Sequence, residues 1–147
     1  MNQNTNTQKI QLLTWKLKDQ LFAAELTHCL EVQQGMKLLK VPHSKNYISG
    51  ITNFRGDVIT VLDLEVMLGQ SGKPNISKPV TIRFKYNDKQ IAILADSISE
   101  VIEISYDKLE PANIHLTEYE LQFISHVCYT NYGVILILNI NELFVVR

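Results

Sequence analysis

Cysteine is scarce. Of 147 residues, only Cys29 and Cys128 carry a thiol, which excludes a small domain stapled by a disulfide framework. A single bridge between them is one option. With no export signal in the sequence, two reduced thiols are the expectation. Glycine (6), proline (4) and tryptophan (1) are also few, which excludes collagen-like and low-complexity chains. No apolar run approaches the roughly 18 residues of a membrane-spanning helix. Residues 1–9 are polar, with no signal-peptide core, and read as the disordered tail of a cytoplasmic protein. An excess of one charge is missing too, since 14 basic residues stand against 15 acidic ones. No Lys/Arg run exceeds a pair, so neither nucleic acid nor direct membrane insertion is expected.

What is present is a series of short β-type segments. Residues 10–18 and 20–25 are aromatic or β-branched runs parted by the turn-like Lys18-Asp19-Gln20. Residues 26–33 (Leu26, Cys29, Leu30, Val32) fit either a helix or an irregular strand. Ser44 can cap a short helical turn ending at Gly50. From Ile51 to Leu62 a hairpin pattern is broken by Arg55-Gly56-Asp57, with Gly56 supplying the positive φ of a tight turn. Asp63 caps a brief helix, 64–68, that Gly69 stops. Residues 70–79 read as a linker. Strand patterns resume at 80–86, 90–95 and 98–104, turn irregular to about 124, and return at 125–130 and 133–138 before a final helical turn.

The chain carries a faint internal duplication. Val58-Ile59-Thr60-Val61-Leu62-Asp63-Leu64 is echoed by Val134-Ile135-Leu136-Ile137-Leu138-Asn139-Ile140, and Phe22-Ala23-Ala24-Glu25 by Ile93-Leu94-Ala95-Asp96. Two matches in the same order on either side of a linker imply two similar small β-barrels. The expected fold class is therefore mainly β, with two small barrels side by side and short helices. The first spans about 10–70 and the second 78–147, with room for strand exchange between them.

Residues suited to catalysis are present but not arranged for it. Cys29 adjoins His28, yet sequence neighbours point apart on a strand or a helix. His28, His43, His115 and His126 lack metal-ligand spacing. Gly69-Gln70-Ser71-Gly72-Lys73 is too short for a phosphate loop and runs into Pro74. Asp57, Asp63 and Asp96 suit turns, caps and strand ends. No enzyme activity, metal or cofactor is expected. A hydrolytic or small-molecule-binding cleft between the barrels is the reading from a different class. Protein binding is the better fit. Arg55 stands at a hairpin tip between Phe54 and Gly56, either as a solvated turn charge or as an interface anchor. Leu26, Cys29, Leu30 and Val32 either fill the core or offer a partner an apolar groove.

One run makes a resemblance visible: Val41-Pro42, then Tyr47-Ile48-Ser49-Gly50-Ile51-Thr52-Asn53-Phe54-Arg55-Gly56, then Val58-Ile59 and Val61-Leu62-Asp63-Leu64. With Glu31-Val32 upstream and Ala95-Asp96, Glu100-Val101 and 108–112 downstream, it resembles the CheW family of chemotaxis coupling proteins. The resemblance implies two five-stranded SH3-like barrels, no catalysis, and two partners: the regulatory domain of a CheA-type histidine kinase and the cytoplasmic tip of chemoreceptors. It also implies recruitment to membrane receptor arrays. A CheW-like adaptor of a twitching-motility or other chemosensory pathway is the close alternative. Position by position, Arg55 matches the family's coupling arginine and Glu31 its acidic neighbour, with a salt bridge expected between them. Phe54, Gly56 and Asp57 border that tip, and Leu26, Cys29 and Val32 fall in the receptor groove. Phe54, Asp57 and Thr60 depart from the residues usual in the family.

Overall fold

The computed structural model describes residues 8–69, 79–112 and 116–145. The expected linker and its glycine-rich stretch therefore lie almost wholly outside the described residues, as do His115 and most of the tail. Strand β1 (Lys9–Leu17) already includes Lys9. It turns into β2 (Gln20–Glu25), followed by a 3-10 turn, Leu26–His28, and β3 (Cys29–Gln34). The hairpin of β4 (Ile48–Phe54) and β5 (Asp57–Leu62) leads into helix α1 (Leu64–Met67). Next come β6 (Val80–Tyr86), β7 (Lys89–Ala95), β8 (Ser97–Ser105) and the two-residue β9 (Glu110–Pro111). Helix α2 (Glu118–Phe123), β10 (Ile124–Thr130), β11 (Gly133–Leu138) and α3 (Ile140–Val145) complete the chain. Among the described residues, no helix is long and apolar enough to cross a membrane.

The strands form two sheets, ordered β8-β1-β2-β11-β10-β9 and β3-β6-β7-β5-β4. The duplication is visible in the pairing. The hairpin β1–β2 joins β11 in parallel, and the hairpin β6–β7 joins β5 in parallel. Both duplicated segments thus occupy equivalent places, and each barrel-like sheet has five principal strands plus short additions. The strand exchange for which the sequence leaves room is visible across the division at 70–78. Strand β1 pairs with β8 and β2 with β11, whereas β6 pairs with β3 and β7 with β5. The physical reason is the parallel pairing: a strand beside a parallel neighbour cannot be reached by a tight hairpin, so the chain crosses between sheets after β2 and again after β7.

Alternation distributes the apolar side chains among three cores. Leu13, Trp15 and Leu17 of β1 face a central core that also contains Phe84, Ile82 and Ile93. Ile10 and Leu12, on the other face of β1, enter a second core with Ala23, Cys128, Ile135 and Ile137. Phe54, Ile59, Val61 and Ala92 make the third, inside the other sheet. Trp15 and Phe84 lie 6.0 Å apart between ring centroids, packing one sheet against the other. At one crossing, the Asp96 carboxylate accepts from the Lys18 N–H (2.7 Å) and its own N–H donates to the Lys16 carbonyl (2.9 Å). The Lys18 ammonium in turn pairs with buried Glu65 of α1 at 2.9 Å. This chain of contacts pins the β1–β2 turn of one sheet to the helix leaving the other.

Local expectations fared unevenly. Asp63 does cap α1, its Oδ1 accepting from the Val66 N–H at 3.2 Å. Residues 26–33 resolve into a 3-10 turn followed by a strand. The short helix expected from Ser44 to Gly50 does not form. The chain there makes turns and then enters β4 at Ile48, with Gly50 inside the strand at φ +152°. Leu39 explains why. It bonds Ile51 in both directions, and a Cβ on Gly50 would sit 2.7 Å from the Leu39 carbonyl oxygen. The glycine serves close backbone approach, not a helix end. Helix α2 fell in a stretch read as irregular, although Thr117 and Glu120 form a complete capping box.

Gly35 also has positive φ but open space around it, so the pair separates strain from clash. Gly35→Ala is expected to lower unfolding free energy by about 1–2 kcal/mol, the left-handed strain alone. Gly50→Ala, which adds a backbone clash, is expected to cost clearly more, about 3 kcal/mol or above. Denaturant unfolding of the two variants checks this; equal losses contradict the clash.

Candidate functional site

The site grows from the β4–β5 turn. Phe54 pairs with Asp57 across a two-residue loop, Arg55-Gly56. Both loop residues have positive φ, +52° for Arg55 and +94° for Gly56. That is the pattern of a type I′ turn, whose twist matches the flanking strands. Asn53 supports it, its Oδ1 accepting from the Gly56 N–H at 2.7 Å. The sequence assigns positive φ to the glycine alone, but the structure requires it of the arginine as well. A non-glycine residue held there is conformationally costly, a condition Arg55 shares with Lys18, His43, Asn87 and Asp88.

Glu31 reaches this tip from the far edge of the same sheet. In the order β3-β6-β7-β5-β4, four strand spacings separate β3 from β4, about 19 Å in a flat sheet. Yet Arg55 Nε lies 3.2 Å from Glu31 Oε2. The sheet therefore curls until its first strand meets its last hairpin, enclosing the core of Phe54, Ile59, Val61 and Ala92. The expected Glu31–Arg55 pair is present. The structure also gathers Phe54, Gly56 and Asp57 with it.

Arg83 on β6 is the residue that sequence reading missed. Its side chain is only 8% exposed and makes three contacts. Nη1 donates to Glu31 Oε1 (2.9 Å), Nη2 to Asp57 Oδ2 (2.7 Å) and Nε to Gln90 Oε1 (2.7 Å). Its guanidinium carbon also sits 5.2 Å from the centroid of the buried Phe54 ring. Alternation in β6 made Arg83 look like an ordinary outward charge between Ile82 and Phe84. Curling turns that face inward, beside Ala92. The available signal was Asp57, a second carboxylate beside Glu31 at a tip where the turn supplies one cation, Arg55.

Exposure is unequal within the cluster. The Arg55 side chain is 74% exposed and Glu31 18%, while Asp57 is 61% exposed. Partial burial pushes the Glu31 carboxyl up, but hydrogen bonds and charges from Arg55 and Arg83 outweigh it and hold the group below its usual value. Among the described residues, neither terminal nitrogen of Arg55 has a hydrogen-bond partner.

The groove residues sit on and beside β3, an edge strand. Cys29 pairs with Phe84 and Glu31 with Arg83, two residues of β3 against one step of β6. That bulge resets the alternation. Cys29 and Val32, three apart, therefore share the face of Phe84 and Ile82, and Glu31 is sent to the Arg83 side. Leu26 and Cys29 pack against the central core, and Leu30 and Val32 are exposed. Both cysteines are free. Burial raises the Cys29 thiol to about 12, so it is no thiolate at neutral pH. The adjacent His28 ring turns elsewhere, 3.4 Å from Glu25 and against Tyr86.

The sequence model for the CheW-like domain matches residues 11–147. A chemotaxis protein CheW of Treponema pallidum is 23% identical over 146 residues, covering 95% of this chain and 84% of that protein. The CheW of Rhizobium meliloti is 21% identical over 134 residues, covering 91% and 86%. The crystal structure of a scaffolding protein, TtCheW of Thermoanaerobacter tengcongensis, superposes with a TM-score of 0.79 at 22% identity, covering 90% of each chain.

The lowered Glu31 carboxyl makes a stability prediction with a definite sign. Relative to Glu31→Gln, the wild type gains stability that is fully present above the ordinary glutamate value of about 4.3. The gain fades as pH falls through the lower folded value. Urea unfolding of both proteins between about pH 7 and pH 3 checks this; a difference that persists unchanged to the acid end contradicts it. By its sequence and its fold together, the chain belongs to the CheW-like domain family.

Proposed function

We propose that the protein is a non-catalytic adaptor of a chemotaxis-type pathway, joining the cytoplasmic tip of chemoreceptors to the regulatory domain of a CheA-type histidine kinase. Family membership supports the class of function, and one observation carries the placement of the site. Arg55 is a cation held out at a turn of fixed backbone, oriented through a single bond to Glu31, with its two terminal nitrogens unpartnered among the described residues. A guanidinium presented this way is suited to anchor an interface, since its fork is pre-organised before the partner arrives. Val58, exposed and next to Asp57, adds apolar surface at the tip.

The kinase contact in this reading is the tip formed by Phe54, Arg55, Gly56, Asp57 and Glu31. The receptor contact is the apolar edge around Leu26, Cys29 and Val32, which the β3 bulge turns to one side. A protein of this kind works in the cytoplasm and is recruited to receptor arrays by its partners. Its role is geometric: two distinct surfaces on a rigid double sheet hold a receptor and a kinase at a set spacing. Cys29 is itself unsuited to nucleophilic chemistry, because burial raises its thiol to about 12.

Arg55→Glu is expected to keep the fold, because the side chain is solvent-exposed. It should weaken kinase binding at least about tenfold and abolish receptor-dependent kinase control. Circular dichroism with a reconstituted receptor–kinase phosphorylation assay measures both. A folded variant that couples as well as the wild type contradicts the proposal.

A further inference from the structure

The Arg55 guanidinium touches Glu31 through Nε only, although an arginine beside a carboxylate favours two parallel bonds. The second Glu31 oxygen already accepts from Arg83 Nη1 at 2.9 Å, and that bond helps to set the plane of the carboxylate. Arg83 cannot swing aside. Its other nitrogens are fixed by Asp57 on β5 and Gln90 on β7, and the Phe54 ring lies 5.2 Å from its guanidinium carbon. Three strands thus hold one buried fork in place, and a single glutamate is divided between two arginines.

We propose that Arg83 is a specificity-determining positioning residue of the docking tip: by holding Glu31 Oε1 it competes with a two-bond Glu31–Arg55 pair and leaves the terminal nitrogens of Arg55 for an acidic side chain of the partner. The proposal rests on the reading of the tip as a kinase-docking surface and adds the chemistry that surface selects. The ligand is a protein carboxylate. Arg83 and Arg55 are balanced within the cluster by Glu31 and Asp57, so the tip exerts no strong general attraction for anions. What remains is one directed fork. Asp57, 61% exposed, stands beside it and disfavours a run of acids. The favoured partner segment therefore carries a single Asp or Glu flanked by an apolar residue that meets exposed Val58.

The test uses the regulatory domain of the CheA-type kinase from the same organism as binding probe, with isothermal titration calorimetry as readout. Asp57→Val combined with Arg83→Val removes the buried cation together with one of its carboxylates, and unfolding curves check that the variant folds. Glu31 is then free to pair fully with Arg55, and kinase affinity is expected to fall about tenfold. Adding Glu31→Gln takes away the competing carboxylate and should restore most of the loss. A merely structural Arg83 would leave the triple variant as weak as the double. Wild-type affinity in the double variant, or no recovery in the triple, overturns the proposal. Arg83→Lys gives a second route if the double variant does not fold. One ammonium cannot hold Glu31, Asp57 and Gln90 in the same planar arrangement, so affinity again falls, and unchanged affinity overturns the proposal. The two readings fail differently: if Arg55→Glu itself leaves kinase binding intact, the docking tip is misplaced, whatever Arg83 does.

Discussion

A guanidinium taken out of water must find acceptors in every direction it points, and Arg83 finds them on three different strands. Glu31 on β3, Asp57 on β5 and Gln90 on β7 each take one of its N–H groups. Glu31 and Gln90 sit on the two strands flanking β6 and Asp57 one strand beyond β7, so the arginine ties four consecutive strands together, and the Glu31–Arg55 bond from β3 to the β4–β5 turn closes the sheet. The apolar interior supplies the driving force for curling, through Phe54, Ile59, Val61 and Ala92. The charges supply the register at the mouth, since an unmet donor there would be penalised. The tip inherits its shape from this closure. Phe54 is trapped beneath the guanidinium, Asp57 is drawn to it, and the loop between them leaves Arg55 pointing outward.

The same chain builds a second sheet of similar topology, with hairpin β1–β2 standing where β6–β7 stands in the first. Strand exchange joins the two. The central core around Trp15, Ile82 and Phe84 is shared between them, and the Lys18–Glu65 and Lys18–Asp96 contacts clamp the crossings. An adaptor benefits from such construction: surfaces on two sheets that share a central core keep their mutual geometry under load. A pair of beads on a linker would not.

Much of this was legible in the sequence, for identifiable reasons. The hairpin at Asn53 to Asp57 announced itself through Gly56, the Asp63 cap through its position before an apolar run, and the duplication through matching strand-to-helix transitions. The Glu31–Arg55 pair came through the family resemblance, not from spacing, because nothing local links residues so far apart in sequence. What stayed hidden depended on curvature and long-range approach. Arg83 obeyed the alternation of an ordinary strand, and only closure of the sheet turns its face inward. Gly50 looked like a helix stop because the backbone of Leu39, which it accommodates, comes from a segment with no strand pattern. The bulge that puts Cys29 and Val32 on one face is a matter of pairing register. The capping box at Thr117 and Glu120 was readable and was passed over.

The account stands or falls on whether partners meet the protein at the β4–β5 tip. Amide chemical-shift mapping of the labelled protein, titrated with the regulatory domain of its CheA-type kinase, addresses that directly. The predicted result is a contiguous set of shifted resonances centred on residues 53–58 and including Glu31, with Arg55 side-chain N–H signals shifting as their partner carboxylate arrives. Shifts confined to the opposite sheet, around Tyr129 and Tyr132, with 53–58 and Glu31 unmoved, would contradict it.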